Sequence, residues 1–114
     1  MRLTEPVDYQ RVFKRCDHRF NNRWMTVLAI PNQLQHPRLG LAISRKVANK
    51  AVSRNRIKRV IRESYRHWQT RLGNLDIVVL GRAGVAKQPN RELDAALELL
   101  WKQMIKTCAG SSSN

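Results

Sequence analysis

The stretch SRNRIKRVIRESYRHWQTRLGNLDIVVL, residues 53–80, changes its periodicity once, and that change sets the fold class. In its first part Ile57, Val60, Ile61, Ser64 and Trp68 fall on one stripe at 3.6 residues per turn, which predicts an amphipathic helix. Ser53 is the expected cap, unless the preceding turn is already helical, and the helix should run to about Arg71. Gly73-Asn74 tolerates positive φ and ends it. Ile77-Val78-Val79-Leu80 is then apolar without alternation, the pattern of a central strand covered on both faces.

Upstream of this stretch, Leu39 to Ile43 reads as an extended run, with Gly40 a bulge or a point of close backbone approach. Pro31 to Pro37 is a polar loop. Residues 19–31 are strand material, centred on Trp24-Met25-Thr26-Val27-Leu28-Ala29-Ile30, with a short additional strand near Arg19 to Asn21. The runs 19–31 and 39–43 are expected to pair as antiparallel neighbours. Residues 4–15 form a first helix, capped by Thr4 and tolerant of Pro6 in its first turn. Val7, Tyr9, Val12 and Phe13 supply its bulky apolar side chains.

Downstream, Gly81 to Pro89 is a loop and Asn90 the expected cap of a third helix. Leu93, Ala96, Leu97, Leu100, Trp101, Met104, Ile105 and Cys108 keep helical spacing there without a gap. Glu92 and Asp94 lie near its positive end, Lys102 and Lys106 near its negative end. Residues 109–114 are small and polar and are expected to be a disordered tail. The order α-β-β-β-α-β-α predicts an α+β fold, a small mixed sheet packed with three helices. A chain of 114 residues fits one domain, placed at 1–108.

Charge points to the partner. Twenty-two Lys and Arg face eight Asp and Glu, a net charge of +14. A compact domain with that charge repels itself, and a polyanion relieves the repulsion. Residues 45–66 hold nine of the bases (Arg45, Lys46, Lys50, Arg54, Arg56, Lys58, Arg59, Arg62 and Arg66) and one acid, Glu63, so +8 of the +14 lies there. On the helix, Lys58, Arg59, Arg62 and Arg66 fall opposite the apolar stripe with Asn55 among them, while Arg54 and Arg56 lie toward the flanks. Arg54, Lys58 and Arg62 are spaced i, i+4, i+8, and each like-charge pair costs an isolated helix a few tenths of a kcal/mol. Phosphates compensate such a cost.

Over residues 54–71 six arginines stand against one lysine. Guanidinium forks suit bidentate phosphate contacts and stacking on bases, which favours nucleic acid over a membrane surface. The apolar face is needed by the core, leaving little to enter lipid. No apolar stretch approaches the roughly 20 residues that span a bilayer, and Met1 to Pro6 has no apolar signal-type region; a cytoplasmic protein is expected.

Catalytic signatures are not found. Cys16 and Cys108 form no CxxC, and His18, His36 and His67 show no metal-ligand spacing. There is no Walker loop, GxGxxG or nucleophile elbow. The acids Glu5, Asp8, Asp17, Glu63, Asp76, Glu92, Asp94 and Glu98 are scattered, unlike the paired carboxylates of a two-metal nuclease. A helix-turn-helix DNA reader is disfavoured, because the basic helix lies between strands without a short partner helix. Charge alone leaves a ribosomal or other structural RNA-binding protein open.

Lys50-Ala51-Val52-Ser53-Arg54-Asn55-Arg56-Ile57-Lys58-Arg59-Val60-Ile61-Arg62-Glu63 resembles the RNR motif of the bacterial ribonuclease P protein family. The likeness extends to Arg2-Leu3, Val12-Phe13, Pro37-Arg38-Leu39-Gly40-Leu41 leading into Ser44-Arg45-Lys46, Asp76-Ile77-Val78-Val79 and the Leu-rich last helix. The resemblance implies a fold shared with domains of certain ribosomal proteins, with a left-handed crossover between two parallel strands where generic rules favour the right-handed one. It implies that catalysis belongs to a large RNA subunit using Mg2+, with no cofactor held by the protein and no protein partner indicated. The RNR region would dock on that RNA, and a cleft between the first helix and the sheet would hold the 5′ leader of precursor tRNA.

Carried over by position, Arg54, Asn55, Arg56, Lys58, Arg59 and Arg62 match the RNA-docking motif, and Arg45 and Lys46 the basic pair before it. Lys50 and Arg66 extend the same surface. Tyr9 and Phe13 match aromatic positions of the leader cleft; Phe20 and Trp24 are further candidates there, the sequence leaving open whether they face the cleft or the core. Val27 stands where some members carry an aromatic, which implies one stacking contact fewer.

Overall fold

β4 (Leu75–Gly81) is the strand around which everything else is arranged. Its Leu75 to Val79 side chains are all buried, as expected of a strand covered on both faces. It lies between β2 (Met25–Pro31), antiparallel to it, and β3 (Arg38–Ala42), parallel to it. β1 (His18–Asn21) pairs antiparallel with β2, giving the order β1-β2-β4-β3. The helices are α1 (Pro6–Arg15), α2 (Ala51–Trp68) and α3 (Asn90–Ser112), with short 3-10 turns at Gln69–Arg71 and Val85–Lys87. The computed structural model describes residues 6–15 and 18–112, with 6 and 108–112 as backbone alone. The expected Thr4 cap lies outside these residues.

The element order agrees with the expected one; the strand pairing does not. β2 and β3 are not neighbours, because β4 inserts between them. The physical reason is burial. β4 is apolar on both sides and gains most at the centre, whereas β3 is short, carries Arg38 and suits an edge. α2 is the connection between the parallel strands β3 and β4.

Strand alternation divides the apolar side chains between two faces. On one face, Met25, Val27, Ala29, Leu39, Ile77 and Val79 meet Ile57 and Ile61 of α2 and Leu93, Leu97, Leu100, Trp101 and Met104 of α3. Trp101 Nε1 donates to Ser64 Oγ at 2.9 Å, which explains how a serine sits in the apolar stripe of α2. On the other face, Val12 of α1 packs on Leu28, Ile30 and Val78, flanked by Tyr9, Ala42 and Leu80. The molecule is therefore α1, sheet, then α2 with α3.

Two expectations about helix caps are corrected. α2 starts at Ala51 with Lys50 as its N-cap residue and no side-chain cap, so Ser53 already lies within the first turn. At α3 the Pro89 carbonyl accepts from Leu93 N at 3.2 Å, so the cap position falls to Pro89. Asn90 Oδ1 instead accepts from Arg56 Nη1 at 2.7 Å. The backbone of α3 extends to Ser112. Extending an existing helix costs far less than nucleating one, and no proline interrupts the ladder.

α1 is fastened to the sheet by a buried ionic cluster. Asp76 is fully buried. Arg38 Nε donates to its Oδ1 at 2.8 Å and Nη2 to its Oδ2 at 2.6 Å, a bidentate pair. Asn32 Nδ2 donates to Asp76 Oδ1 at 3.0 Å, and Arg38 Nη2 also reaches Asp8 Oδ1 of α1 at 3.4 Å. Burial alone pushes the Asp76 carboxyl up; the Arg38 and Asn32 hydrogen bonds and the Arg38 charge outweigh it and hold it below the usual carboxylate range.

Candidate nucleic-acid interface

α2 carries the cations where its helical period requires. Ile57, Ile61, Ser64 and Tyr65 are buried, which turns Asn55, Arg59 and Arg66 outward and leaves Lys58 and Arg62 half-exposed beside them. Among the described residues, Lys58, Arg59 and Arg62 have no hydrogen bond or ion pair. Arg66 Nη1 lies 3.8 Å from Glu63 Oε2, an exposed pair that solvent screens. Arg45 and Lys46 stand exposed on a turn that closes through Ala48 N donating to Ser44 O at 3.1 Å. Lys50 is exposed at the start of α2. These side chains form one cationic surface with little acid in it.

Arg54 and Arg56 are placed differently. Arg54 Nη1 donates to the Ala48 and Asn49 carbonyls, both at 2.9 Å. Arg56 Nη1 donates to Gln88 O at 3.0 Å as well as to Asn90, and its Nη2 donates to Ala86 O at 2.9 Å. Beside Arg59 the surface opens into a groove of about 510 Å³ between α2 and the start of α3, floored by Val60 and flanked by Arg91, Glu63 and Asp94.

The second expected surface is on α1. Phe13 is 46% exposed, on the same side of the helix as Tyr9 one turn earlier. Tyr9 is half-buried, and its Oη accepts from Leu41 N at 3.1 Å on the edge strand β3. Its ring lies against Gly40: a Cβ at that position would stand 2.8 Å from Tyr9 Cε1 and Cζ. The close backbone approach expected at Gly40 is thus the seat of α1. Gly40→Ala should cost about 1–3 kcal/mol by forcing the ring off the sheet. Melting curves in wild-type and Tyr9→Ala backgrounds check this. The cost should shrink where the ring is gone, and an equal cost in both would place the strain elsewhere.

Phe20 and Trp24 do not join Tyr9 and Phe13. Phe20 is the partner of Val27 across β1 and β2, and both side chains point to the α2–α3 face. Trp24 packs against that same core, with Gly84 so close that a Cβ there would stand 2.9 Å from Trp24 Cζ3. Of the two places the sequence leaves open for them, cleft or core, these contacts are with the core. Val27 is fully buried on the same face, so an aromatic at that position would not reach α1 either.

The sequence reading missed the Asp8–Arg38–Asp76 cluster that seats α1. A signal was available: Asp76 is a lone acid inside an apolar strand, and a buried carboxylate requires a cation or donors. Arg91 in the groove wall carried no comparable signal. Among the described residues, no three His, Cys, Asp or Glu side chains are grouped to hold a metal ion. No described helix is long and apolar enough to cross a membrane.

Comparison with known proteins agrees with this geometry. The family model described as Ribonuclease P matches residues 1–105. The ribonuclease P protein component of Methylococcus capsulatus is 49% identical over 112 residues, covering 98% of this chain and 87% of that one. That of Nitrosococcus oceani is 44% identical, covering 97% and 92%. The structure of the Staphylococcus aureus RNase P protein superposes with a TM-score of 0.83 at 32% identity, covering 89% of this chain and 92% of that one. The Thermotoga maritima RNase P protein gives 0.80 at 29% identity, covering 90% and 96%. With an RNR segment on α2, the same fold and identities of this size along nearly the whole length, the chain belongs to the ribonuclease P protein family.

Proposed function

We propose that the chain is the noncatalytic subunit of ribonuclease P, working in the cytoplasm on precursor tRNA. The outer face of α2, with Arg45, Lys46 and Lys50, docks on the large RNA subunit. The side of α1 that bears Phe13 receives the 5′ leader, whose endonucleolytic removal leaves the mature tRNA 5′ end. Hydrolysis of the phosphodiester belongs to the RNA subunit and the Mg2+ it holds. The protein's own residues neutralise phosphates, fix the orientation of the two RNAs and offer an aromatic face to an unstacked base.

The observation that carries this reading is the cationic arc of Lys58, Arg59 and Arg62, unpaired among the described residues on a helix whose other face is committed to the core. The test is the RNA that co-purifies with the tagged protein. One abundant RNA of ribonuclease P type is expected; ribosomal RNA in its place would assign the arc to a structural RNA-binding role.

Phe13→Ala tests the leader surface. In the assembled holoenzyme it should weaken binding of leader-bearing precursor by about 1–3 kcal/mol, the usual loss of one base–aromatic stack, and leave mature tRNA unaffected. Equal loss for both RNAs together with a lowered Tm would make Phe13 a packing residue.

A further inference from the structure

The two arginines that bracket Asn55 in the RNR segment direct their guanidinium groups into the protein. Arg56 engages three acceptors, the Ala86 and Gln88 carbonyls and Asn90 Oδ1, at 2.7–3.0 Å. Arg54 engages the Ala48 and Asn49 carbonyls. The four carbonyls belong to the loops that flank α2, before its start and ahead of α3. Val85 to Lys87 is a single 3-10 turn, and a turn that short leaves terminal carbonyls without helical partners. Arg56 supplies donors for that loop from a neighbouring helix.

We propose that Arg56, with Arg54 in the same way, is a positioning residue whose guanidinium locks a loop against α2 instead of ligating phosphate. Resting on the reading of α2 as an RNA-docking face, this deepens it. The phosphate contacts fall to Lys58, Arg59 and Arg62, and the locked loops hold Arg45 and Lys46 on one side and Lys87 on the other beside that arc.

Geometry separates the two groups. At about 100° per residue, Arg56 lies on the flank of α2 next to α3, Arg62 on the opposite flank, and Arg59 between them, directly away from the sheet. For Arg56 to turn to a phosphate it must leave three hydrogen bonds, stranding acceptors that are in part shielded from water. The planar fork also matters. A lysine at this position keeps the charge but cannot match three acceptors spread around a guanidinium plane.

The experiment uses the full-length protein with a transcript of bacterial ribonuclease P RNA as probe and compares Arg56→Lys, Arg56→Ala and Arg59→Ala. The first readout is amide exchange in the free protein at Val85, Lys87 and Gln88, whose N–H groups donate within the loop. The second is the log–log slope of RNA affinity against salt. Both Arg56 variants should speed exchange at these amides by roughly tenfold through loss of the loop's anchors. They should weaken RNA binding while keeping the wild-type slope.

Arg59→Ala should do the reverse, with unchanged exchange and a slope shallower by roughly 0.7–0.9 for one phosphate lost. Should Arg56→Ala not fold, Arg56→Lys carries the comparison. The proposal is overturned if Arg56→Ala flattens the slope as Arg59→Ala does, or if Arg56→Lys matches wild type in exchange. An unchanged slope in Arg59→Ala would instead overturn the docking reading of the arc, and the exchange data would still decide the role of Arg56.

Discussion

Arg38→Ala should be the most destabilising single substitution considered for this protein, lowering stability by about 3–5 kcal/mol at neutral pH. The change leaves the Asp76 carboxylate buried with Asn32 as its remaining side-chain donor. It also releases Asp8, and with it the ionic seat of α1. Against a total stability of roughly 5–15 kcal/mol for a domain, such a loss should lower Tm by on the order of 10–20 °C.

The pH dependence follows from the direction of the Asp76 shift. In the wild type the folded carboxyl lies below its ordinary value near 3.8. Its contribution is therefore complete above that value and disappears as pH falls through the folded one. Without Arg38, burial dominates and the carboxyl rises, so the folded variant takes up a proton that the wild type does not. The gap between the two proteins should narrow steadily as the medium is made acid. Asp76→Asn added to Arg38→Ala should recover part of the loss, because it removes the stranded charge. Denaturant melts of the two variants at several pH values check this. A loss under about 1 kcal/mol, or a gap that widens in acid, would mean that the cluster does not anchor α1 as described.

The combined change Lys58→Ala, Arg59→Ala, Arg62→Ala should have the largest effect on RNA binding and almost none on folding. Arg59 is exposed, Lys58 and Arg62 are half-buried without a hydrogen bond or ion pair among the described residues, and removing like charges at i, i+4 relieves repulsion within α2. Each phosphate contact contributes roughly 0.7–0.9 to the salt slope, so three lost contacts should flatten it by about 2–3. At a salt concentration of about 0.15 M the same arithmetic predicts a loss of affinity on the order of a hundredfold. The check is a titration against ribonuclease P RNA across a salt series, beside a melting curve. A folded variant that keeps the wild-type slope would move the docking surface off α2.

Much of this architecture was legible in residues 53–80. Four consecutive apolar residues placed β4 at the centre, and the stripe on α2 oriented its basic arc. Gly40 marked a bulge or a close approach, without naming α1 as its source. What escaped depended on register and on long-range partners. Whether Phe20 and Trp24 face α1 or the main core turns on the β1–β2 connection, because a slip of one residue exchanges the faces. That register is fixed by Asn22, whose Oδ1 accepts from Trp24 N and Met25 N, both at 2.9 Å. An Asn in a polar run announces a turn but not its register.

The β2–β3 pairing was misread for a related reason. Sequence neighbours are the default partners, and only the double-sided burial of β4 displaces them. Asn90 has the look of a cap because it precedes an apolar periodic run; its side chain is instead engaged by Arg56, 34 residues earlier. The RNR segment itself was recognisable, but charge and spacing could not divide it. Arg54 and Arg56 look like Arg59 and Arg62 until the loop carbonyls are placed beside them.

The role proposed for this chain is to hold a catalytic RNA and its substrate together. The most direct measurement is cleavage of a 5′-leader-bearing precursor tRNA by the chain alone, by bacterial ribonuclease P RNA alone, and by the two mixed, at a Mg2+ concentration where the RNA alone is slow. Expected are no cleavage by the protein alone, slow cleavage by the RNA, and strongly accelerated release of the leader by the mixture, with the acceleration lost in the Lys58, Arg59, Arg62 variant. A mixture no faster than the RNA alone, or cleavage by RNA-free protein that a carboxylate substitution abolishes, would contradict it.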